Sequence, residues 1–185
     1  TAAGVPIPVT WIGRQTLQPF RHGAHMQPVR IRAGALGHRV PCKDLVVTAD
    51  HGMVFPSSSE AVGETNIPSS SKAVGDTQTG YVINASALVN DTTVGFVPMA
   101  ELGRSFTVYH IETEHHDVIL ANGTPSETFI DATTRSHFDN YQEYLDLYGA
   151  DRIIREIAMP RIATARLVPQ AIRARLGFAA IALSA

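Results

Sequence analysis

The residues best suited to chemistry lie in the stretch VVTADH at positions 46–51. Its β-branched residues predict a strand, so that Thr48 and His51 fall on the loop that follows the strand. A threonine supplies a neutral hydrogen-bonding hydroxyl, and a histidine titrates near neutral pH. Such a pair suits the protonation of an amine as it leaves a peptide bond. A solvated histidine at the end of a strand is the ordinary alternative.

A second candidate stretch, YHIETEHHDVILANG, spans positions 109–123. His116 stands just ahead of an apolar strand, and the Ala-Asn-Gly at its end predicts a tight turn. The stretch is also rich in potential metal ligands, which include His110, Glu112 and Glu114. On one face of a strand these three would project at steps of roughly 6.6–7 Å, so that one face supplies at most two ligands without help. We therefore expect no metal site.

Composition narrows the class of protein further. The chain has 185 residues, 44% of them hydrophobic, and a net charge of -2, which favours one domain and gives no reason to expect nucleic acid or a membrane surface as partner. No apolar run approaches the roughly 20 residues that cross a bilayer. The single cysteine, Cys42, excludes an intrachain disulfide and a multi-cysteine metal site. It leaves open whether the chain is cytoplasmic, secreted or associated with a cell surface.

The hydrophobic pattern predicts a mainly β body. Period-two spacing places strands near Trp11, near Val29 and Ile31, and over residues 45–48 and 106–113. Residues 81–89 and 92–98 are expected to pair as a hairpin around Asn90-Asp91. Residues 56–79 are a tandem duplication that repeats every 12 residues, and their Ser, Gly and Pro content predicts an exposed loop.

The period changes after residue 135, and the pattern there predicts a helical extension. Tyr141, Tyr144, Leu145 and Tyr148 follow helical spacing, and Gly149 ends the run. Ile153, Ile154 and Ile157 suggest a second short helix that Pro160 stops, and a third is expected between Pro169 and Gly177. The sequence thus divides into a β domain at 1–135, which carries the duplicated loop, and a helical extension at 136–185.

Taken together, these motifs resemble the Hint domain family of inteins, hedgehog autoprocessing domains and bacterial intein-like domains. The resemblance rests on the Thr-x-x-His element, the His116 strand with its turn, and the flanking stretches PVTWIGR at 8–14 and PVRI at 28–31. It covers roughly residues 5–135 and is nearest to the bacterial type. It implies a β-rich horseshoe of short strands and no cofactor.

The family's chemistry gives these residues roles. In such domains a Cys or Ser at the first position attacks the carbonyl just before it, and the resulting ester or thioester is then resolved. By resemblance, Thr48 would hydrogen-bond at the scissile peptide and His51 would protonate the departing α-amine. His116 matches the second histidine, which assists C-terminal cleavage in inteins. Accessory roles would fall to Asp50, His110 and Asp117.

Three departures from the family pattern limit this reading. No Cys or Ser heads the sequence, so we expect the nucleophile to be supplied by a missing N-terminal segment. Glu127-Thr128 stand where inteins end in His-Asn, which argues against splicing. His110 stands where many inteins have an Asp next to the Tyr. The sequence therefore predicts an autoprocessing domain that cleaves at its N-terminal side.

Two alternatives stay open at this point. A catalytically silent Hint scaffold could act as a structural or binding module in a larger assembly, and an ordinary β-rich metal- or sugar-binding domain would make the resemblance accidental. The expected partners are the chain's own N-terminal segment or precursor polypeptide, and other protein subunits that meet the C-terminal helices. A Cys or Ser upstream in the encoding gene would favour autoprocessing.

Overall fold

The computed structural model describes residues 4, 6–18, 27–37, 39–56, 80–130 and 135–178. Strand accounts for 31% and helix for 20%, which confirms the predicted β-rich fold with helical structure towards the C-terminus. From residue 57 onwards the duplicated loop lies outside the described residues. The predicted boundary between a β domain and an extension at residue 135 stays a prediction.

The largest sheet has five strands in the order β10-β5-β4-β9-β8. Its strands in chain order are β4 (Gly52–Pro56), β5 (Gly80–Asn84), β8 (Val118–Ala121), β9 (Thr124–Glu127) and β10 (Arg161–Ile162). The tight turn predicted after β8 is present, because Asn122 and Gly123 both take positive φ angles, 50° and 82°, and join β8 to β9. Met53 of β4 pairs with both Ile83 and Ser126, which makes β4 a central strand.

Two smaller sheets complete the body. The three-stranded sheet has the order β3-β2-β6 and comprises β2 (Val29–Ile31), β3 (Leu45–Val47) and β6 (Val94–Phe96). The two-stranded sheet pairs β1 (Trp11–Leu17) with β7 (Phe106–Glu112) in antiparallel fashion. Val29, Ile31 and Val94 are fully buried and share one apolar core with Met53 and Ile83 of the five-stranded sheet. This shared core fixes the end of β3 next to the start of β4.

The predicted hairpin between residues 81–89 and 92–98 is wrong. β5 ends at Asn84, the chain continues into a 3₁₀ turn over Ala85–Leu88, and β6 pairs with β2 instead. The turn itself is real, because the Asn90 side-chain oxygen accepts hydrogen bonds from the three backbone N–H groups that follow Asp91. A turn signal reports a change of direction but does not identify the strand that the returning segment will pair with.

The C-terminal part contains two α-helices, α1 (Tyr141–Tyr148) and α2 (Gln170–Arg175). Both were predicted, and α1 ends in the left-handed Gly149, as expected. The helix predicted around Ile153 and Ile157 is absent, since residues 151–157 are not helical. Ile153 is 97% exposed while Ile157 is buried, so a single buried face of a helix does not describe this segment. The segment instead leads into β10, which pairs in parallel with β5.

The C-terminal residues 135–178, called the tail below, are held against the β body by a buried ion pair and an aromatic cluster. Arg135 Nε lies 2.8 Å from the Glu112 carboxylate, and both side chains are almost fully buried. The Arg135 guanidinium also stacks on the rings of Phe129 and Tyr144, at 5.0 and 4.7 Å. Phe138 packs edge-on against Trp11 in the same cluster. Residues of the tail are thereby held against β1 and β7, close to the strand position of His110.

Candidate active site

The turn between β3 and β4 positions the first pair of predicted residues. β3 ends at Val47, and the His51 N–H donates a 3.2 Å hydrogen bond to the Thr48 carbonyl oxygen, which closes the turn. β4 then begins at Gly52. The hydrophobic run and the polar loop thus fold as the sequence predicts, with Thr48 and His51 on one turn between two strands of different sheets.

Thr48 and His51 line the same small cleft. Its volume is about 120 Å³ and its walls are formed by Thr48, Asp50, His51, Asn84, His110, Glu127, Thr128, Phe129, Ile130 and Arg161. A larger groove of about 480 Å³ shares Thr48, His51 and His110 with the cleft and continues between the three-stranded sheet and β7. Three residues predicted from two distant stretches, with Asp50, therefore meet at one place.

Within the described ranges, the hydroxyl of Thr48 is unpartnered at the cleft. Thr48 Oγ1 is buried and has no hydrogen-bond partner among the residues that the structure describes. An unsatisfied buried hydroxyl costs about 1–3 kcal/mol. A bound peptide group that paired with Thr48 would recover that cost, so this hydroxyl is well suited to a scissile carbonyl or amide.

His51 is held by a residue that sequence reasoning did not single out. Its Nε2 lies 2.5 Å from the Ser126 hydroxyl of β9, which fixes the orientation of the ring. Burial lowers the pKa of His51 to about 4, although the negative charges of Glu127 and Asp50 act in the opposite direction. The imidazole is therefore neutral at pH 7. It can donate a proton to an amine only after it has accepted one.

His110 enters the cleft from β7, opposite Gly13 of β1. Its ring meets Phe138 edge-on at 5.1 Å, so that the tail contacts one wall of the cleft. Burial lowers the pKa of His110, again against the charges of Asp50 and Glu127. Two neutral imidazoles thus face one cleft, and both are suited to proton transfer during a reaction.

The structure places His116 differently. It is buried and does not line the cleft; its Nε2 lies 3.1 Å from the Glu127 carboxylate. Its Nδ1 accepts a 2.9 Å hydrogen bond from the backbone N–H of Ile157 in the tail. Because Nδ1 is an acceptor, the proton of the neutral ring lies on Nε2, from which it is donated to Glu127. His116 therefore reaches the cleft through Glu127.

The remaining predicted residues also differ in whether they line the cleft. Asp50 is exposed and lines the cleft. Asp117 is buried and does not line the cleft. Its backbone N–H donates a hydrogen bond to the Thr128 hydroxyl, and its carbonyl oxygen accepts one from the Thr128 N–H. His115, to which the sequence assigned no role, is exposed.

Glu127 is the charged centre of the site. Its carboxylate accepts hydrogen bonds from the Gly52 N–H, from His116 and from two nitrogens of Arg161, at 2.6–3.1 Å. Burial opposes ionisation, but the hydrogen bonds from His116 and Arg161 and the charge of Arg161 lower the pKa of Glu127 to about 2. The side chain is therefore a fixed anion at the floor of the cleft.

Sequence reasoning missed Ser126 and Arg161 and assigned no role to Glu127. The polar sequence TPSE of β9, whose Ser126 and Glu127 are buried, is a local signal that could have drawn attention to the strand. Arg161 has no such signal, because it lies 34 positions from its partner. Only the parallel pairing of β10 with β5 brings it to the cleft.

Within the part of the chain that the structure describes, no group of three or more His, Cys, Asp or Glu side chains is arranged to hold a metal ion. No helix in that part is long and apolar enough to span a membrane. The polar groups that line the cleft include the hydroxyls of Thr48 and Thr128, two imidazoles and two carboxylates, which are suited to hydrogen bonding and proton transfer.

Comparison with known proteins agrees with the resemblance. The sequence model of the Hint domain matches residues 1–133, which contain Thr48, His51, His110 and His116. No curated protein and no solved structure matches the chain. Since the matched region covers well over half of the 185 residues, the chain belongs to the Hint domain family.

Proposed function

We propose that this protein is a self-processing Hint domain that performs an N-terminal acyl shift and cleaves its own precursor without splicing. The observation that carries the proposal is the meeting of Thr48 and His51 on one cleft, with the Thr48 hydroxyl unpartnered among the described residues. A purely structural turn would gain stability by pairing that hydroxyl. Its availability supports a site that receives a polar group.

The charge state of His51 sets the order of proton transfers. Neutral His51 first accepts the proton of a Cys thiol or Ser hydroxyl as the sulfur or oxygen attacks the preceding carbonyl carbon. Thr48 donates a hydrogen bond to the oxygen of that carbonyl. When the C–N bond breaks, His51 passes the same proton to the departing α-amine, and an ester or thioester remains. Water or an added thiol then releases the acyl fragment.

The proposal of cleavage without splicing rests on Glu127 and Thr128, which stand where inteins end in His-Asn. Inteins release their C-terminal side by cyclisation of an asparagine, which requires a side-chain amide nitrogen as nucleophile. Thr128 stands at the asparagine position and has no amide nitrogen, and Glu127 holds a carboxylate in an ion pair with Arg161. Both side chains support cleavage at the N-terminal side alone.

One observation favours the alternative, a silent scaffold that acts as a binding module. Among the described residues, neither the cleft nor the adjoining groove is lined by a Cys or Ser, and Cys42 is exposed outside both. A silent scaffold would use the tail for contact, since Leu147, Ile153 and Leu167 are 62–97% exposed there.

Intact-mass analysis of the product of the complete gene separates the two functions. It would be expressed alone and incubated with and without a small thiol. Release of an N-terminal fragment, accelerated by thiol, is expected for the acyl shift. A precursor that stays uncut in thiol for days would overturn self-processing and support the scaffold.

A further inference from the structure

The site depends on the tail beyond the region that the Hint family model matches. The match ends at residue 133, yet Arg161 of β10 forms a two-pronged ion pair with Glu127, with Nη2–Oε2 at 2.6 Å and Nη1–Oε1 at 3.1 Å. Arg161 is held in turn by Glu156, which accepts from its Nε at 2.9 Å. The planar guanidinium is thereby fixed in orientation as well as position.

The tail also sets the state of His116. The Ile157 N–H occupies Nδ1 of His116, which leaves Nε2 as the donor to Glu127. Backbone and side chain of one short segment, residues 157–161, therefore act on the same carboxylate from two sides. The Arg161 contact ends directly on Glu127, which lines the cleft, and the Ile157 contact reaches Glu127 through His116.

His51 lies in the field of this ion pair. The charged and titratable groups that act on its ring are Glu127 and Asp50, which favour its protonation, and His110 and Arg161, which oppose it. At the His51 ring, Arg161 offsets part of the charge of Glu127, and its effect there is smaller than that of Glu127. Without Arg161, an uncompensated carboxylate would face the cleft and draw a proton onto His51.

We propose that Arg161 is a positioning residue of the cleavage site: its two-pronged ion pair holds the Glu127 carboxylate in place against the Gly52 N–H, beside His51. The tail segment that carries Arg161 is then part of the site itself. The inference rests on the proposed function for its catalytic meaning, but the electrostatic coupling between Arg161 and His51 is measurable in the uncleaved chain.

The test is an NMR titration of the His51 ring in the 185-residue protein, with Arg161→Gln compared with wild type. We expect the midpoint of His51 in Arg161→Gln to move to higher pH, because the charge of Glu127 is then no longer offset. Arg161→Lys, which keeps the charge, should stay nearer to wild type. Arg166→Gln is the matched control, because Arg166 is an exposed arginine of the same tail and does not line the cleft.

A second variant gives an independent result if Arg161→Gln does not fold. Glu127→Gln removes the anion and should move the His51 midpoint to lower pH, opposite to the first variant. A His51 midpoint that is the same in wild type, Arg161→Gln and Glu127→Gln would overturn the proposal. So would an equal upward shift in Arg166→Gln, since the effect would then not depend on the ion pair.

The cleavage rate of the precursor tests whether Arg161 also affects the reaction. In the precursor, Arg161→Gln should cleave about tenfold more slowly at a pH one unit below its new His51 midpoint than at its own high-pH maximum, and this fall should begin at a higher pH than in wild type. If the wild-type precursor does not cleave while the His51 midpoints shift as expected, the proposed function fails and the coupling stands. If it cleaves and the midpoints do not shift, the role of Arg161 fails alone.

Discussion

The Gly52 N–H donates a 2.7 Å hydrogen bond to the Glu127 carboxylate across a gap that has no room for a side chain. A Cβ built on Gly52 would lie 2.4 Å from Val82 Cγ1 and 2.6 Å from Glu127 Cδ. This contact joins the residue after His51 to the anion at the floor of the cleft. The close packing of β4 against β9 therefore also determines the position of the Glu127 carboxylate in the site.

Gly52→Ala should destabilise the protein by about 1–3 kcal/mol, because the new methyl group overpacks a buried contact and displaces Glu127. Chemical denaturation followed by circular dichroism measures the change. Gly95→Ala is the control: Gly95 also lies in a strand, and a Cβ there meets nothing within 4 Å. Equal stabilities of the two variants would contradict the close contact at Gly52.

His116→Ala should destabilise the fold by about 2–4 kcal/mol, since it leaves the Ile157 N–H without its acceptor and removes one of the two hydrogen bonds to Oε2 of buried Glu127. His115→Ala removes an exposed neighbour and should stay within about 0.5 kcal/mol of wild type. Urea unfolding of both variants provides the comparison. A His116→Ala protein as stable as His115→Ala would show that the buried hydrogen bonds do not contribute.

Stability should fall with acid in two windows. His51 has a pKa of about 4 in the fold against 6.5 ordinarily, so the unfolded chain takes up a proton first, and stability is lost as the pH falls from 6.5 to 4. Glu127 has a pKa of about 2 against 4.5, so its contribution is full above pH 4.5 and is lost as the pH falls towards 2. Ionised Glu127 therefore stabilises the fold at neutral pH, whereas burial of His51 destabilises the fold only as the pH falls below 6.5.

Urea unfolding at a series of pH values separates the two contributions. His51→Gln should flatten the loss of stability between pH 6.5 and 4 and leave the lower window intact. His115→Gln, an exposed control, should keep both windows. A His51→Gln profile identical to wild type above pH 4 would mean that burial does not depress the pKa of His51.

The sequence predicted those parts of the site that are encoded locally. The β-branched run before Thr48 and the Asn-Gly turn after β8 each specify a conformation through neighbouring residues, and both are present. The contribution of Arg161 could not be predicted in this way. Its role depends on the pairing of β10 with β5, about 80 positions earlier in the chain. Local patterns constrain backbone conformation but do not determine such long-range pairings.

The errors have the same physical origin. The spacing of Ile154 and Ile157 fits one face of a helix, but it fits equally a non-helical segment whose apolar side chains meet the core at intervals. Asn90 forms its turn as expected, while β6 finds β2 because both contribute buried residues to one core. The catalytic role that the resemblance gives His116 stays a prediction, and the imidazole contacts Glu127 and the Ile157 N–H.

The most direct test of the account is the cleavage rate of the full precursor with His51→Ala, followed by intact mass against time. If His51 carries the proton from nucleophile to amine, the rate should fall about 10²–10⁴-fold while circular dichroism shows a retained fold. His115→Ala should cleave at the wild-type rate. A His51→Ala precursor that cleaves as fast as wild type would contradict the central claim.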